Sequence, residues 1–351
     1  MTAGLPPEAR GEFAWIDRLV ELLGPAARGE DGRIAIGDDV AVVPGPDGAP
    51  WAWTVDTLVE GVHFRFDWLD PEEVGHRALA ASLSDLAAAG AEPIGALVTA
   101  AGPSETVATR LEGIYRGLAA LAGVSGCPIL GGDLARAPGP LHLGVTALGR
   151  CPRGAPPGRG GARPGDALWV TGRLGAPAAA VALLGAAGDD PRALAAARAH
   201  PSVLRLARPD PRLAEIAWLA ARAPVHALID VSDGVSGDAA QLARRSEVRV
   251  TIEVERLPLH PSAEDAARRL GVDARGWALH GGEEFELLLA APAAAIDPLA
   301  EPFEARFGIP ITRIGSVEPG HGLARREAGR DRPLDAGGWD HFRVAPPVRS
   351  P

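Results

Sequence analysis

Several aspartates follow short apolar runs at widely separated points of the chain. Asp56 ends one such run, Asp230 closes another, Asp133 follows Ile-Leu-Gly-Gly, and Asp38 and Asp39 lie between two β-type runs. A carboxylate at a strand end is held by the sheet, and its head group faces the crevice where α/β proteins bind ligands. We therefore expect these acids to converge at one edge of the structure.

Asp85 differs from these acids because it lies inside a predicted helix, on a face of small residues that permits close packing beside it. Acids that meet within about 4 to 6 Å repel by roughly 1 to 4 kcal/mol per pair at effective dielectric constants of about 80 to 20. Divalent cations remove that repulsion, and oxygen ligands without His or Cys favour Mg²⁺. Any one of these acids could be a turn residue or a helix cap. The prediction of a magnesium site therefore depends on the whole set.

The segment from Ile229 to Gly234 reads Ile-Asp-Val-Ser-Asp-Gly and runs from a predicted strand through a tight turn into a helix. Backbone amides at a helix start bind phosphate groups well, and the Ser232 hydroxyl could join them. Asp230 and Asp233 would then hold metal beside that phosphate. Taken alone, such a segment is weak evidence for a phosphate or metal site.

Composition excludes several mechanisms. All 35 basic residues are Arg, because the sequence contains no Lys. A Walker-type phosphate loop and Schiff-base catalysis both need an amine, so neither can operate. The formal net charge of −10 argues against nucleic acid or an anionic membrane surface as a partner.

Cysteine use and apolar runs indicate the compartment. Cys127 and Cys151 have no metal-ligand spacing, which disfavours a zinc site, an iron–sulfur cluster or a disulfide framework. No stretch approaches the roughly 18 to 20 apolar residues that span a bilayer. We therefore expect a cytoplasmic protein.

The order of predicted elements indicates a mixed α/β fold with two domains, each a mixed sheet with packed helices. Residues 151–165 are too rich in Pro and Gly for a helix or a central strand, and they form the predicted linker. The predicted domains are residues 1–150 and 166–351. Predicted strands cover residues 33–36, 40–43, 51–55, 94–99, 141–148, 167–171, 225–229, 249–254, 286–290 and 311–316. Predicted helices cover residues 71–89, 104–123 (with Ser104 as a plausible N-cap), 236–246 and 296–307, and an Ala/Leu-rich helical region follows residue 171.

Eight segments in this order resemble the thiamine-monophosphate kinases, a family of the superfamily that also contains aminoimidazole ribonucleotide synthetase. They run through nearly the whole chain. One segment alone is weak evidence, but their combined order is specific to the family. The segments are Gly11-Glu12-Phe13, Gly37-Asp38-Asp39, residues 56–64 (Asp-Thr-Leu-Val-Glu-Gly-Val-His-Phe), residues 83–88 (Leu-Ser-Asp-Leu-Ala-Ala), Gly131-Gly132-Asp133, residues 230–234, residues 281–287 (Gly-Gly-Glu-Glu-Phe-Glu-Leu) and residues 338–342 (Gly-Trp-Asp-His-Phe).

The resemblance implies a fold like that of aminoimidazole ribonucleotide synthetase and the phosphorylation of thiamine monophosphate by ATP. It also implies a homodimer whose N-terminal domains pair, and it makes Asp133 and Arg159 the candidate catalytic residues. Implied magnesium ligands are Asp38, Thr54, Val55, Asp56, Asp85, Asp133, Asp230 and Asp233. Implied nucleotide contacts are Tyr115, Gly132, Asp133, Arg159 and Ser232, and implied contacts to the thiamine moiety are His63, Glu283 and Trp339.

Taken alone, several of these residues have ordinary explanations. Arg159 in its Gly-rich segment could be a solvated linker charge, Glu283 a turn acid, and Trp339 a packing residue. His63 could be an ordinary hydrogen-bonded histidine, and Tyr115 a core or interface residue.

Four positions depart from the usual family pattern and bear on the substrate pocket. Val55 stands where Thr or Ser is usual, Leu134 where Thr commonly follows, and Glu284-Phe285 replaces Asp-Tyr. Alternatives are another ATP-using enzyme of the superfamily or a nucleotide-binding regulator without turnover. Selenophosphate synthetase and the hydrogenase-maturation dehydratase are disfavoured, because the chain lacks the Cys or Lys residues that they need.

Overall fold

Two mixed β-sheets, one from each half of the chain, form the framework of the protein. The computed structural model describes residues 11–27 and 36–342. Helices pack against both sheets, which confirms the expected mixed α/β class. No helix among the described residues has the length and apolar character to cross a membrane.

The first half contains five strands and three helices among its described residues. The strands pair in the order β1-β2-β5-β3-β4, and only the β3–β4 pair is parallel. The bounds are α1 Glu12–Leu23, β1 Ala41–Pro44, β2 Pro50–Val59, α2 Pro71–Ala88, β3 Glu92–Gly102, α3 Ser104–Ser125, β4 Ile129–Arg136 and β5 His142–Arg150.

The two faces of this first sheet differ. Burial alternates along β5, where Leu143, Val145 and Ala147 are buried in the core that also contains residues of α2 and α3. On the other face, which we call the outer face, Trp53, Val55 and Leu97 are exposed. The inner face is therefore the one that packs on helices.

The second sheet has seven strands in the order β12-β11-β8-β10-β6-β9-β7, and only its β8–β11 pair is parallel. Its strands are β6 Ala167–Thr171, β7 Ala227–Asp230, β8 Arg249–Glu253, β9 Leu287–Ala291, β10 Ile311–Glu318, β11 Gly322–Glu327 and β12 Arg330–Pro333. The helices are α4 Ala176–Ala187, α5 Pro191–Arg198, α6 Pro201–Ala207, α7 Leu213–Ala220, α8 Val235–Ser246, α9 Pro261–Leu270, α10 Ala274–His280, α11 Ala293–Ile296 and α12 Ala300–Phe307. Strands β6, β7 and β9 are buried throughout.

Helix α2 lies between the two halves and carries one of the predicted site residues, Asp85. It begins with a capping box between Asp70 and Glu73, which satisfies backbone amides at the helix start. A side chain at Gly75 would collide with the Ile114 carbonyl, and one at Gly117 with the Glu72 carbonyl. These glycines let α2 and α3 approach closely, and α2 also contacts β7 and α7 of the second half.

The structure corrects several local expectations. Asp56 lies within β2 and Asp133 within β4, not at strand ends. The cap of α3 is Pro103, because Ser104 is already helical. The predicted strand at residues 33–36 falls outside the described residues except for Ile36, which is not in a strand. Residues 151–165 contain no helix or strand, and the bounds 1–150 and 166–351 for two domains stay a prediction.

Candidate functional site

Three aspartates from both halves of the chain meet at one point. Asp39, Asp85 and Asp230 each offer a carboxylate oxygen, and these oxygens lie within 4.8 Å of one another. Asp39 precedes β1, Asp85 comes from α2, and Asp230 ends β7. The site therefore lies between the two halves, and three converging carboxylates are a donor set for a divalent cation.

Hydroxyl groups orient the acids of this cluster. Ser84 Oγ donates to Asp230 Oδ2 at 2.7 Å, and this bond joins the two halves of the chain. Ser82 Oγ donates to Asp56 Oδ2 at 2.8 Å. Thr54 Oγ1 donates to Asp85 Oδ2. These hydroxyl groups hold the three carboxylates in fixed orientations.

Burial raises the pKa of every acid at the centre of the site. It raises the pKa of Asp230 to about 8, and the neighbouring charge of Asp39 adds to the effect. The pKa of Asp85 lies well above its usual range for the same reason, with Asp56, Asp230 and Asp39 contributing repulsion. The pKa values of Asp39 and Asp56 are raised as well, again mainly by burial. Buried like charges of this kind need a positive charge among them.

Arg159 supplies one such charge from the segment that connects the two halves. Its Nη2 donates to Asp39 Oδ1 at 2.6 Å, and its backbone amide donates to Asp38 Oδ2 at 3.1 Å. Burial alone would lower the pKa of Arg159, but Asp39 and Asp38 outweigh it and raise the pKa. Asp38 also accepts from the amide of Asp39 at 2.9 Å, so it borders the cluster, and its role as a magnesium ligand stays a prediction.

Two further acids extend the site along α8. Burial raises the pKa of Asp233 to about 6, with a contribution from Glu12. Asp238, in the first turn of α8, is buried, and its Oδ2 atom finds no partner among the described residues. Oδ2 of Asp39 is also buried and without a partner there. Asp238 was not among the predicted ligands, although its place in the first turn of the helix after the Asp-Val-Ser-Asp-Gly segment could have identified it.

Two predicted metal residues lie on the outer face of the first sheet. Val55 is 67% exposed and its apolar side chain has no ligand atom, so its predicted role as a metal ligand rests on the backbone carbonyl and stays a prediction. Asp133 is exposed on the edge strand β4 and is in register, through Thr99 and Gly144, with Thr57 of β2. Asp133 and Asp56 therefore lie on opposite faces, about 14 Å apart by three strand spacings. Within one chain, the structure does not bring Asp133 to the acid cluster.

The predicted nucleotide contacts are spread over several elements. Ser232 lies in the turn between β7 and α8, where its carbonyl accepts from the Glu283 amide at 2.7 Å. Gly132 lies on β4, and a side chain there would collide with the Val98 carbonyl, so only Gly fits. Tyr115 of α3 is partly buried against the core of the first half. Of this set, Arg159 is the residue that contacts the acid cluster directly.

The three predicted thiamine contacts form a second group. His63 and His341 have ring centroids 5.0 Å apart. Trp339, which is 55% exposed, donates from Nε1 to His341 Nδ1 at 3.2 Å. The Glu283 carboxylate pairs with the buried Arg77, which also donates to the His63 carbonyl. His341 and Arg77 were not among the predicted contacts, although His341 lies in the closing motif.

Burial lowers the pKa of His63, and the nearby His341 adds to that shift. Trp339 also connects this group to the acid cluster, because its backbone amide donates to the Asp233 carbonyl at 3.2 Å. The two groups are thus adjacent parts of one site between the halves. A neutral imidazole and an exposed indole face are suited to a flat organic cation.

The departures from the family pattern lie in different surroundings. Val55 and Leu134 are exposed on the first sheet. Glu284 is buried, and its carboxylate accepts from the Gly175 amide at the start of α4. Phe285 is buried with a positive φ of 50°. A separate cavity of about 870 Å³ between residues 151–157 and α7 contains none of the predicted site residues in its lining.

Comparison with known proteins identifies the class. Residues 37–151 match the family model described as AIR synthase related protein, N-terminal domain, and residues 163–326 match AIR synthase related protein, C-terminal domain. The fold, the acid cluster between two halves and these matches define a protein of the AIR synthase related class.

Individual relatives narrow this class further. The thiamine-monophosphate kinase of Rhodopirellula baltica is 36% identical over 305 residues, which cover 84% of this chain and 86% of that one. That of Escherichia coli K12 is 33% identical over 344 residues, covering 95% and 99%. A solved structure of AaThiL complexed with AMPPCP and TMP has a TM-score of 0.80 at 30% identity, covering 97% of this chain and 100% of that one. The chain belongs to the thiamine-monophosphate kinase family, which confirms the resemblance seen in the sequence.

Proposed function

We propose that this protein transfers the γ-phosphoryl group of ATP to thiamine monophosphate and so forms ADP and thiamine diphosphate. The observation that carries the proposal is the meeting of Asp39, Asp85 and Asp230 within 4.8 Å, next to a group of aromatic and acidic side chains. The family relatives share this activity by name, and the related AaThiL structure contains AMPPCP, a triphosphate analogue, together with TMP.

The acid cluster fits Mg²⁺. Its donors are carboxylate oxygens, and two buried oxygens, Oδ2 of Asp39 and Oδ2 of Asp238, have no partner among the residues described. Bound there, Mg²⁺ would supply positive charge that offsets the negative charge of the phosphate groups during transfer. Asp39, Asp85 and Asp230 would hold it, with Asp56, Asp38 and Asp233 at the border and Thr54 orienting Asp85.

The chain's own residues need not remove a proton from the acceptor. A phosphomonoester has a second pKa near about 6, so its oxygen is already largely anionic at neutral pH. That oxygen attacks the γ-phosphorus of ATP, the bond from γ-phosphorus to the bridging oxygen breaks, and ADP leaves with the electron pair. Arg159 would move its guanidinium fork from Asp39 to the triphosphate, and the amides after Ser232 would bind phosphate.

The second group of side chains would bind the thiamine moiety. Trp339 offers an exposed ring face for the thiazolium cation or the pyrimidine. Glu283 could accept a hydrogen bond from the aminopyrimidine, and His63 lies close to both Glu283 and His341. Because this group adjoins the acid cluster through Trp339 and Asp233, the phosphate of thiamine monophosphate would point toward the metal site.

We further propose a homodimer in which the outer faces of the first sheets meet. Trp53, Val55 and Leu97 form an exposed apolar surface on that face, and burial of such a surface stabilises association. Asp133 lies on the same face, so pairing would place it against the partner chain. A cytoplasmic location is consistent with Cys127 and Cys151, which are free and buried.

The test is incubation of the purified protein with ATP, thiamine monophosphate and Mg²⁺, followed by product analysis. We expect equal amounts of ADP and thiamine diphosphate. Asp85→Asn should lower kcat by about a hundredfold or more, because it removes a metal ligand. Asp166→Asn is the matched control: Asp166 is also buried but binds His226, and activity should persist. ADP without thiamine diphosphate would refute the acceptor.

A further inference from the structure

Arg77 is a buried cation in the middle of α2 with three oxygen partners from separate segments. Its side chain is only 2% exposed. Nη1 donates to the Leu206 carbonyl of α6, and Nη2 donates to the His63 carbonyl at 3.2 Å and pairs with Glu283 Oε1. One guanidinium thus joins the loop after β2, helix α6 and the turn before β9.

Two of these three segments carry side chains of the proposed thiamine pocket, His63 and Glu283. Arg77 contacts the backbone of the first and the carboxylate of the second. The planar guanidinium holds its donors in one rigid fork, so the positions of its acceptors are coupled. A shift of Arg77 would therefore move both pocket residues together.

The backbone around Glu283 leaves its side chain few alternatives. Glu283 has φ of 63°, a left-handed conformation that costs free energy for a residue with a Cβ atom. Its amide donates to the Ser232 carbonyl at 2.7 Å, and a side chain at Gly282 would collide with that same carbonyl. The conformation is thus held by the turn on one side and by the ion pair with Arg77 on the other.

Among the described residues, only one oxygen of the Glu283 carboxylate has a partner. Oε1 pairs with Arg77, whereas no hydrogen bond from a described residue reaches Oε2, and the side chain is 31% exposed. An ion pair that fixes one oxygen aims the other one, and a fixed acceptor binds an amino group without first losing rotamer freedom.

We infer that Arg77 is a positioning residue for the phosphoryl acceptor: it aims Oε2 of Glu283 at an amino group of that acceptor and thereby sets affinity for the acceptor, separately from ATP. The inference rests on the proposed function, because it takes Glu283 as a contact to thiamine monophosphate. Arg77 itself does not touch the reacting atoms.

The experiment compares steady-state kinetics of wild type, Arg77→Met and Arg77→Lys, with ATP and thiamine monophosphate varied in turn. For Arg77→Met we expect KM for thiamine monophosphate to rise about tenfold or more, while KM for ATP stays within about twofold. Arg77→Lys should lie between wild type and Arg77→Met, because a single ammonium can pair with Glu283 but cannot reproduce the fork. An equal rise in both KM values, or no rise for thiamine monophosphate, would overturn the inference.

A double mutant tests whether Arg77 acts through Glu283. If it does, adding Arg77→Met to Glu283→Gln should raise KM for thiamine monophosphate by less than about twofold beyond Glu283→Gln alone. Full additivity would mean that Arg77 acts by another route. If Arg77→Met does not fold, the same comparison is made with Arg77→Lys. Adding Arg77→Lys to Glu283→Gln should then raise KM for thiamine monophosphate by less than about twofold beyond Glu283→Gln alone.

The matched control is Arg205→Met. Arg205 is four-fifths buried and pairs with Glu286, which keeps its second partner Arg212, so the control removes a buried ion pair elsewhere. It should leave KM for thiamine monophosphate within about twofold of wild type. Wild-type protein that forms no thiamine diphosphate would refute the proposed function, whereas turnover with an unchanged KM in Arg77→Met would refute only the role of Arg77.

Discussion

Serine hydroxyls at the acid cluster show how single small side chains orient the acids of the proposed metal site. Ser84 and Ser82 are fully buried, and each donates to one acid of the site, Asp230 and Asp56. A fixed carboxylate presents its free oxygen in one direction, whereas a free one must lose rotamer freedom when a cation binds. The two hydroxyl groups therefore fix the orientation of Asp230 and Asp56, although neither serine is a predicted ligand.

Replacement of Ser84 should weaken Mg²⁺ activation. In Ser84→Ala the carboxylate of Asp230 loses its 2.7 Å donor, and we expect the Mg²⁺ concentration for half-maximal activity to rise about tenfold. Activity is measured against Mg²⁺ at saturating ATP and thiamine monophosphate. Ser236→Ala is the control, because Ser236 is equally buried but bonds to His280. A lower kcat with unchanged Mg²⁺ dependence would contradict the orienting role.

At the scale of elements, the sequence predicts a helix or strand best where a single pattern, such as a continuous apolar run, covers the whole element. The continuous apolar run predicts β6 at residues 167–171 with its observed bounds. Strand β4 is not predicted, because Gly131 and Gly132 have low strand propensity and nearly every residue of the strand is exposed. For the same reason Asp133 is taken for a strand end, although it lies within β4.

In the candidate site, too, the sequence predicts some residues and misses others. The sequence predicts that Asp39 and Asp230, which lie next to apolar runs, converge with Asp85 inside α2, and these three acids do meet. Asp39 was not among the implied magnesium ligands, which include its neighbour Asp38. The Arg77–Glu283 pair spans 206 residues of sequence, and an arginine inside a helix is normally a solvated charge. Only the packing of α2 between the two halves brings that pair together.

The contact between Glu284 and α4 predicts a pH-dependent stability. Burial raises the pKa of Glu284 to about 8, although the Gly175 amide and Arg205 act in the opposite direction. In the unfolded chain this carboxyl has its ordinary pKa of 4.5, so between the two pKa values the folded state holds one more proton. Stability should therefore fall as pH rises through this window, by up to about 1.4 kcal/mol per pH unit.

Glu284→Gln should remove this dependence, since the amide is uncharged at every pH. We expect the free energy of unfolding of the variant, relative to wild type, to increase from pH 5 to pH 8 in denaturant titrations. Glu304→Gln, at an exposed position of α12, should give a constant difference over the same range. A constant difference for Glu284→Gln as well would mean that Glu284 is already ionised in the folded protein.

At the scale of the whole molecule, the site depends on how the two halves meet. Asp85 and Ser84 come from the first half, Asp230 from the second, and Arg159 from the connecting segment. A cation bound among these acids would hold the halves together, because separation would break its ligand set. By contrast, Asp133 has no place in this arrangement within one chain, since it lies on the outer face of the first sheet.

The proposed dimer gives Asp133 a role that mixed dimers can test. If Asp133 serves the site of the partner chain, Asp133→Ala and Asp39→Asn homodimers should both be nearly inactive. Co-expression of the two variants under different tags should then restore about a quarter of wild-type activity, since half the dimers are mixed and each has one intact site. Asp39→Asn co-expressed with Asp85→Asn is the control and should restore nothing, because both acids belong to the same chain's cluster. If co-expression of Asp133→Ala with Asp39→Asn restored no activity, Asp133 would not act across the dimer. An Asp133→Ala homodimer with near wild-type activity would show the same.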